Sequence, residues 1–200
     1  QLYYIIKNKI EELRINLILN TDFRNISRSY DFIVNCTYTN HNEILKHFDL
    51  PTIEYKIQDV VIPILRSKFD SIGLTVMDGQ FCSTMPKGFS KNEILLYHVQ
   101  QSVVSEVSHN SNLTNVNLTN SIYRIINESQ KYYPFIKESK LVDYWRTYRA
   151  IPINANDERL SEITIHEGTP FIISVFSGKV TTAIEIANKV VDLITSRRVK

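Results

Sequence analysis

The stretch that decides the fold is FIISVFSGKVTTAIEIANKVV, residues 171–191. Its first part, Phe171–Val175, is a short apolar run typical of a buried strand. Ile184–Ile194 repeats apolar residues at helical spacing, and FSGKVTTA, residues 176–183, joins the two segments. Lys179 then lies at the first turn of the helix, where a cation is mildly unfavourable unless an anionic or electron-rich group lies opposite. The segment predicts α/β layering and makes this junction a candidate binding site.

The first 50 residues also have an α/β pattern of predicted helices and strands. Leu2–Leu13 has the pattern of an amphipathic helix, and Ile15–Leu19 and Tyr30–Thr37 are predicted strands, the second apolar enough to be covered on both faces. Cys36, inside that strand, is predicted to be a core residue. A short helix is predicted at about Glu43–Phe48.

The middle of the chain alternates apolar and polar residues, as strands with one covered face do. This pattern predicts a mostly antiparallel sheet with one solvated or ligand-facing side. The predicted strands are Ile53–Pro63, Ile72–Met77, Phe81–Pro86, Glu93–Val99, Leu141–Ile153 and Glu162–His166, with a loop at 108–120 and a helix at Ile122–Tyr132 capped from Leu118–Ser121.

Composition limits the classes of function. A net charge of +2 is too small to indicate a nucleic-acid or membrane-surface footprint, so partners are expected among small molecules or proteins. Two cysteines, Cys36 and Cys82, give no disulfide framework and no metal motif. No apolar run is long enough to span a membrane, and a cytoplasmic location is expected.

Three segments match motifs of one family, in the family's order. Tyr30–Thr37, YDFIVNCT, is similar to a D-x-V-[IV]-N-A-[TA]-G strand, and Tyr148–Pro152, YRAIP, resembles a G-x-R-P segment. Residues 177–183, SGKVTTA, resemble a G-G-K-x-T-T turn. Together they resemble the C-terminal half of the D-amino-acid oxidase superfamily of flavoenzymes, which includes glycine oxidase and FAD-dependent glycerol-3-phosphate dehydrogenase.

The resemblance implies a mixed α/β (α+β) fold: part of an FAD-binding three-layer domain plus a mostly antiparallel substrate-binding sheet. Residues 1–50 would be the C-terminal part of the FAD domain, 51–168 the substrate domain, and 169–200 the closing strand and helix of the FAD domain. The implied function is an FAD-dependent oxidoreductase that transfers a hydride from an amino acid, secondary amine or hydroxy acid to flavin.

The resemblance also implies a cofactor site at the junction of strand and helix, where backbone N–H groups and the Lys179 ammonium would stabilise negative charge on the reduced flavin. Gly178 would allow close approach, and Thr181 and Thr182 would cap the helix or bind phosphate or ribityl oxygens. The alternative is a plain junction with a solvated lysine. The cofactor-binding set is Ser177, Gly178, Lys179, Val180, Thr181 and Thr182.

The expected catalytic set is Lys179, Arg149 and His98. Arg149 would hold the carboxylate of an anionic substrate; the alternative is an ion pair with Asp157 or Glu158. On a strand, Arg146 and Tyr148 share one face and Arg149 lies on the other.

Tyr97 and His98 could line the substrate face. His98 would matter as a base only for an alcohol substrate, and a structural role is its alternative.

The sequence departs from the family at three points. Tyr38 and Ser177 stand where the family has glycine, and the G-x-G-x-x-G fingerprint of the FAD domain is absent. Because Gln1 opens the sequence inside a helical pattern, we expect the C-terminal part of a longer enzyme, inactive by itself. Two alternatives stay open: a non-catalytic binding or assembly module that kept the fold without the cofactor, and an unrelated α/β enzyme.

Overall fold

The structure, a computed structural model, describes residues 2–70, 72–76, 81–108, 116–153, 161–176 and 179–198. The helices of these residues are α1 Leu2–Glu12, α2 His41–His47, α3 Leu118–Ser129 and α4 Ala183–Arg198. The strands are β1 Phe32–Asn35, β2 Tyr55–Arg66, β3 Leu74–Thr75, β4 Cys82–Pro86, β5 Glu93–His98, β6 Val103–Ser108, β7 Lys140–Pro152, β8 Glu162–His166 and β9 Phe171–Phe176. Short 3-10 turns occur at Phe23–Asn25, Tyr38–Asn40, Pro134–Glu138 and Val180–Thr182.

The smaller sheet has the strand order β1-β9-β8. β1 runs parallel to β9, with Phe32 opposite Phe171, and β8 is antiparallel to β9. All six residues of β9 are buried, because the strand is central and α4 packs Ile186 and Val190 against Ile173. The apolar run therefore forms the buried strand that its composition predicts. β8, which the sequence analysis grouped with residues 51–168, pairs with β9 instead.

The larger sheet is antiparallel and runs β3-β4-β5-β2-β6, with β7 paired along the whole of β2. α3 and the turn after it cover one face, where Val61 of β2, Leu96 of β5 and Ile125 of α3 form the centre of the core. The opposite face carries no helix among the described residues. The mixed α/β fold class is confirmed.

A buried aromatic cluster joins the two sheets. Tyr55 of β2, Ala150 of β7 and Phe176 of β9 are each at most 3% exposed and pack together, with Tyr38 against them. The Tyr55 hydroxyl also donates to the backbone oxygen of Thr39, at 2.8 Å. This cluster fixes the carboxyl end of β9 beside the carboxyl end of β7.

The predicted strand Ile15–Leu19 is wrong. These residues form no strand, and Ile15, Leu17, Ile18 and Leu19 are exposed, because no described strand pairs with their backbone. The helix before them is confirmed, although α1 buries none of its residues.

Cys36, just after β1, is exposed rather than in the core, and Val34 of β1 is 39% exposed, since both line an open apolar cavity beside Val190 and Val191 of α4. β6 was missed, and α3 begins earlier than predicted. Its cap is Asn117, whose side chain accepts from the backbone N–H of Asn120 at 3.1 Å. None of the described helices is both long enough and apolar enough to pass through a membrane.

Candidate functional site

The junction after β9 is an uncapped helix start. Lys179 is extended, at φ −144° and ψ 139°, and the 3-10 turn Val180–Thr182 leads directly into α4. Among the residues that the structure describes, no side-chain hydrogen bond caps this turn. The first N–H groups of a helix have no acceptor within it, so the backbone of Val180 and Thr181 presents donors to any group placed against the turn. The predicted junction of strand and helix is present, and it has the polarity of an anion site.

The threonines of this turn have different contacts. The Thr182 hydroxyl donates to the backbone oxygen of Lys179 at 2.8 Å and bonds the Ser161 hydroxyl at 2.7 Å, so it holds the turn in shape. Lys179 and Thr181 are exposed, and no carboxylate of the described residues pairs with the Lys179 ammonium. Ser177 and Gly178, the other predicted cofactor contacts, lie outside the described residues.

Arg149 lies on the face of the large sheet opposite α3, and the next residue, Ala150, belongs to the buried aromatic cluster. Its Nε and Nη2 both donate to the Gln58 side-chain oxygen, at 3.0 and 2.6 Å. Its Nη1 donates to the Tyr97 hydroxyl at 3.1 Å, with the guanidinium carbon 5.9 Å from that ring's centre. The guanidinium is thus held on two sides. Asp157 and Glu158, the alternative partners from the sequence analysis, lie outside the described residues.

A hydrogen-bonded row crosses three strands at this point. Gln58 of β2 stands opposite Arg149 of β7 on one side and Glu106 of β6 on the other. The Gln58 amide nitrogen donates to Glu106 at 2.7 Å, and Lys56 donates to the other Glu106 oxygen at 2.9 Å. These bonds lower the pKa of Glu106, so the carboxylate is the stable form. Sequence reasoning missed Gln58 and Glu106, because strand register alone aligns them with Arg149.

The other face of β7 holds a buried ion pair. Arg146 makes three contacts of 2.7 to 3.1 Å with the carboxylate of Asp59, which is 0% exposed. The Arg146 guanidinium carbon also lies 5.8 Å from the centre of the Tyr148 ring. Arg146 and Tyr148 therefore share a face, as strand alternation predicts. Because Arg146 is bound to Asp59 on the face opposite Arg149, it does not compete with Arg149 for a ligand.

His98 and Tyr97 point to opposite sides of β5. His98 is 2% exposed, its Nδ1 accepts from the backbone N–H groups of Gln100 and Gln101, and its ring packs edge-on against Tyr132. Burial lowers the pKa of His98. These contacts stabilise the turn between β5 and β6, while Tyr97 alone of the pair reaches the face that carries Arg149.

Tyr38, at a position where the resembled family has glycine, keeps a conformation that glycine favours. Its φ is +54°, in the left-handed region, and its ring packs 6.3 Å from that of Phe176. The side chain fills space beside the junction that a glycine would leave open. No cluster of three or more metal-binding side chains occurs in the part of the chain that the structure describes.

No protein-family model matches the chain, and no curated protein matches its sequence. Among solved structures, the chain is similar to glycine oxidase from Geobacillus kaustophilus, with a TM-score of 0.52, 14% identity, and coverage of 72% of this chain and 36% of that chain. It is also similar to the glycerol-3-phosphate dehydrogenase from Bacillus halodurans complexed with FAD, with a TM-score of 0.50, 13% identity, and coverage of 82% and 31%.

The chain spans about a third of the length of these two structures. Identities this low show a shared fold and no more. The chain therefore shares its fold with parts of these two structures.

Proposed function

We propose that the chain is part of an FAD-dependent oxidoreductase that oxidises an amino acid, secondary amine or hydroxy acid by hydride transfer to the flavin. The observation that carries this proposal is that β9, which leads to Lys179, and β7, which carries Arg149, pack together through one buried cluster. Lys179 follows β9, Arg149 precedes Ala150 on β7, and Phe176 and Ala150 pack together with Tyr55. The likeness in fold to two oxidoreductases supports the proposal.

The residues at the junction fit the electron-rich end of a flavin. The Lys179 ammonium and the backbone N–H groups of Val180 and Thr181 are the donors that would hold it, because the turn is uncapped and these residues are exposed. When bound, FAD supplies the hydride acceptor. The cation and the helix start would stabilise the negative charge that reduction adds.

Arg149 would bind the substrate carboxylate. A guanidinium has five N–H donors, and the contacts to Gln58 and Tyr97 use three of them among the described residues. Two N–H groups remain for a carboxylate, and the two partners hold the guanidinium plane so that a bound acid has one orientation. His98, buried on the covered face, has no reacting role in this proposal. Its part as a base for alcohol substrates stays a prediction.

The test is Lys179→Met in the protein purified with its native flanking sequence. Visible flavin absorption, with FAD released on heat denaturation, is expected in both proteins. Because removing one charge-stabilising donor typically costs about 10²–10³ in rate, the variant should slow flavin reduction by substrate at least tenfold, while FAD occupancy changes little. Lys189→Met, which removes an exposed lysine paired with Glu185, is the matched control. Flavin reduction at the same rate in the Lys179 variant would contradict the assigned role.

A non-catalytic binding or assembly module is the second candidate, and Tyr38 favours it. A bulky ring in a left-handed conformation beside the junction reduces the close approach that a cofactor needs. This candidate predicts a colourless protein that takes up no added FAD. The same absorption spectrum therefore separates the two candidates.

A further inference from the structure

We infer that the cavity at the amino ends of β1 and β9 binds a planar aromatic acid, with its rings against aromatic side chains and its acid group on Arg28. The cavity has a volume of about 470 Å³, which is within the range of small-molecule sites. It lies between the segment that leads into β1, the end of α2 and the turn before β9. The inference goes beyond the proposed function and does not depend on it.

This cavity is separate from the junction of β9 and α4. Phe32 and Pro170 line it at the amino ends of the parallel strands β1 and β9, whereas Lys179 follows the carboxyl end of β9. β9 has six residues, and a strand rises about 3.3 Å per residue, so roughly 17 Å of strand separates the two places. None of the described residues that line the cavity belongs to β7 or α4. A ligand bound here would therefore not contact Arg149 or Lys179.

The wall of the cavity is rich in aromatic rings. The His47 ring lies 5.0 Å from the Phe23 ring and 4.9 Å from the Phe48 ring, both in edge-to-face geometry. Phe32 lines the cavity from β1, and its ring packs edge-to-face on Phe171 at 5.8 Å. These contacts hold the rings in place, and aromatic pairs about 4.5–7 Å apart attract one another in such geometries. A flat ring that enters the cavity meets aromatic faces and edges that are already positioned.

Arg28 gives the cavity a preference for anions. Among the described residues that line it, Arg28 alone has a permanent charge, and no carboxylate of the described chain pairs with it. Arg24, four residues earlier, is by contrast already neutralised. Its Nε lies 2.9 and 3.1 Å from the two carboxylate oxygens of Asp22, and these bonds are the main reason that the pKa of Asp22 is lowered to about 2. The Arg28 guanidinium is exposed and can form two parallel hydrogen bonds to a carboxylate.

The exposure of the lining residues matches a ligand with one charged end and one flat apolar end. Arg28, Ser29 and Tyr30 are exposed and form the mouth of the cavity, whereas Phe23 and Phe48 are half-buried. The rings of the ligand can leave water while its acid group stays at the mouth, so no charge has to be buried. A cationic ring would be repelled by Arg28, and a saturated acid would lose the contacts between rings.

Naphthoate is the probe, and naphthylmethanol, which has the same rings and no charge, is its matched partner. Dissociation constants are measured by isothermal titration calorimetry at neutral pH. Wild-type protein should bind naphthoate about tenfold more tightly than naphthylmethanol, because a hydrogen bond to a charged group contributes more than one between neutral groups. Arg28→Gln should remove this preference and leave the affinity for naphthylmethanol unchanged. Arg124→Gln, at an exposed arginine of α3, is the control and should keep the preference.

Decahydronaphthoate, the saturated analogue, tests whether the rings must be aromatic. It keeps the carboxylate but cannot pair with the aromatic wall, so it should bind several-fold more weakly than naphthoate.

Four results overturn the inference. Equal affinities for naphthoate and naphthylmethanol, or a preference that survives in Arg28→Gln, would show that Arg28 does not hold the acid group. Equal affinities for naphthoate and decahydronaphthoate would contradict the aromatic class. Absence of naphthoate binding at roughly millimolar concentration would contradict the site itself. Naphthoate binding that is lost in Arg149→Gln and kept in Arg28→Gln would place the acid on the large sheet, which supports the proposed function and refutes this inference.

Discussion

Removing Arg146 should destabilise the protein strongly, because it leaves the Asp59 carboxylate buried without its partner. Asp59 is 0% exposed, and within the described part of the chain Arg146 makes three contacts of 2.7 to 3.1 Å with its carboxylate. Breaking a buried pair by removing one member costs roughly 3–5 kcal/mol. The Arg146 side chain is 34% exposed, so water can approach Asp59 once the arginine is gone. We therefore expect Arg146→Met to lower the free energy of unfolding by about 3 kcal/mol.

The measurement is urea unfolding followed by circular dichroism. In thermal unfolding of a chain of this size, a loss of about 3 kcal/mol corresponds to a decrease in Tm of roughly 6–12 °C. Lys68→Met, which breaks an exposed pair with Glu138, is the control and should cost at most about 1 kcal/mol. The double variant Asp59→Leu with Arg146→Met should recover most of the stability, because it removes both charges. A cost for Arg146→Met no larger than that of Lys68→Met would refute the reasoning.

Three further predictions concern the protonation of His41, the N-cap of α3 and the hydrophobic core. Burial, with a smaller effect of His166, lowers the pKa of His41 from 6.5 to about 4. The contribution of neutral His41 to stability is then fully present above about pH 6.5. The free energy of unfolding decreases by up to about 3 kcal/mol as the pH falls towards 4, since the unfolded chain binds the proton first. Urea unfolding at several pH values should show this decrease, and His41→Leu should remove it. Asn117→Ala removes the cap of α3 and should cost about 1 kcal/mol in the same assay at neutral pH, and a cost near zero would contradict the capping geometry. Ile125→Ala should lower the free energy of unfolding by roughly 2–5 kcal/mol, because the side chain is fully buried. The control is Ile184→Ala, at a residue that is 79% exposed, and it should cost under about 0.5 kcal/mol. Equal costs would contradict the placement of the core.

The candidate site was only partly predictable from the sequence, because strand register depends on residues that are distant in the chain. Arg149 was found from a local motif, and strand alternation correctly separated it from Arg146 and Tyr148. Gln58 and Glu106 lie 91 and 43 residues before Arg149 in the chain, and only the pairing of β2 with β6 and β7 aligns the three. Alternation also divides Tyr97 from His98, but which of the two meets the open face depends on where α3 packs.

The sequence by itself determined the elements whose cause is local. The apolar run of β9, the periodic residues of α4 and the alternating strands of the large sheet follow from short-range patterns of hydrophobicity, and their positions were predicted within a few residues. Tertiary structure decided what covers each element. Among the described residues, Ile15–Leu19 has strand composition but no neighbouring strand to bond its backbone. Cys36 is exposed because α4 leaves an open apolar cavity beside it. Burial and register depend on residues distant in the chain, and no local pattern contains them.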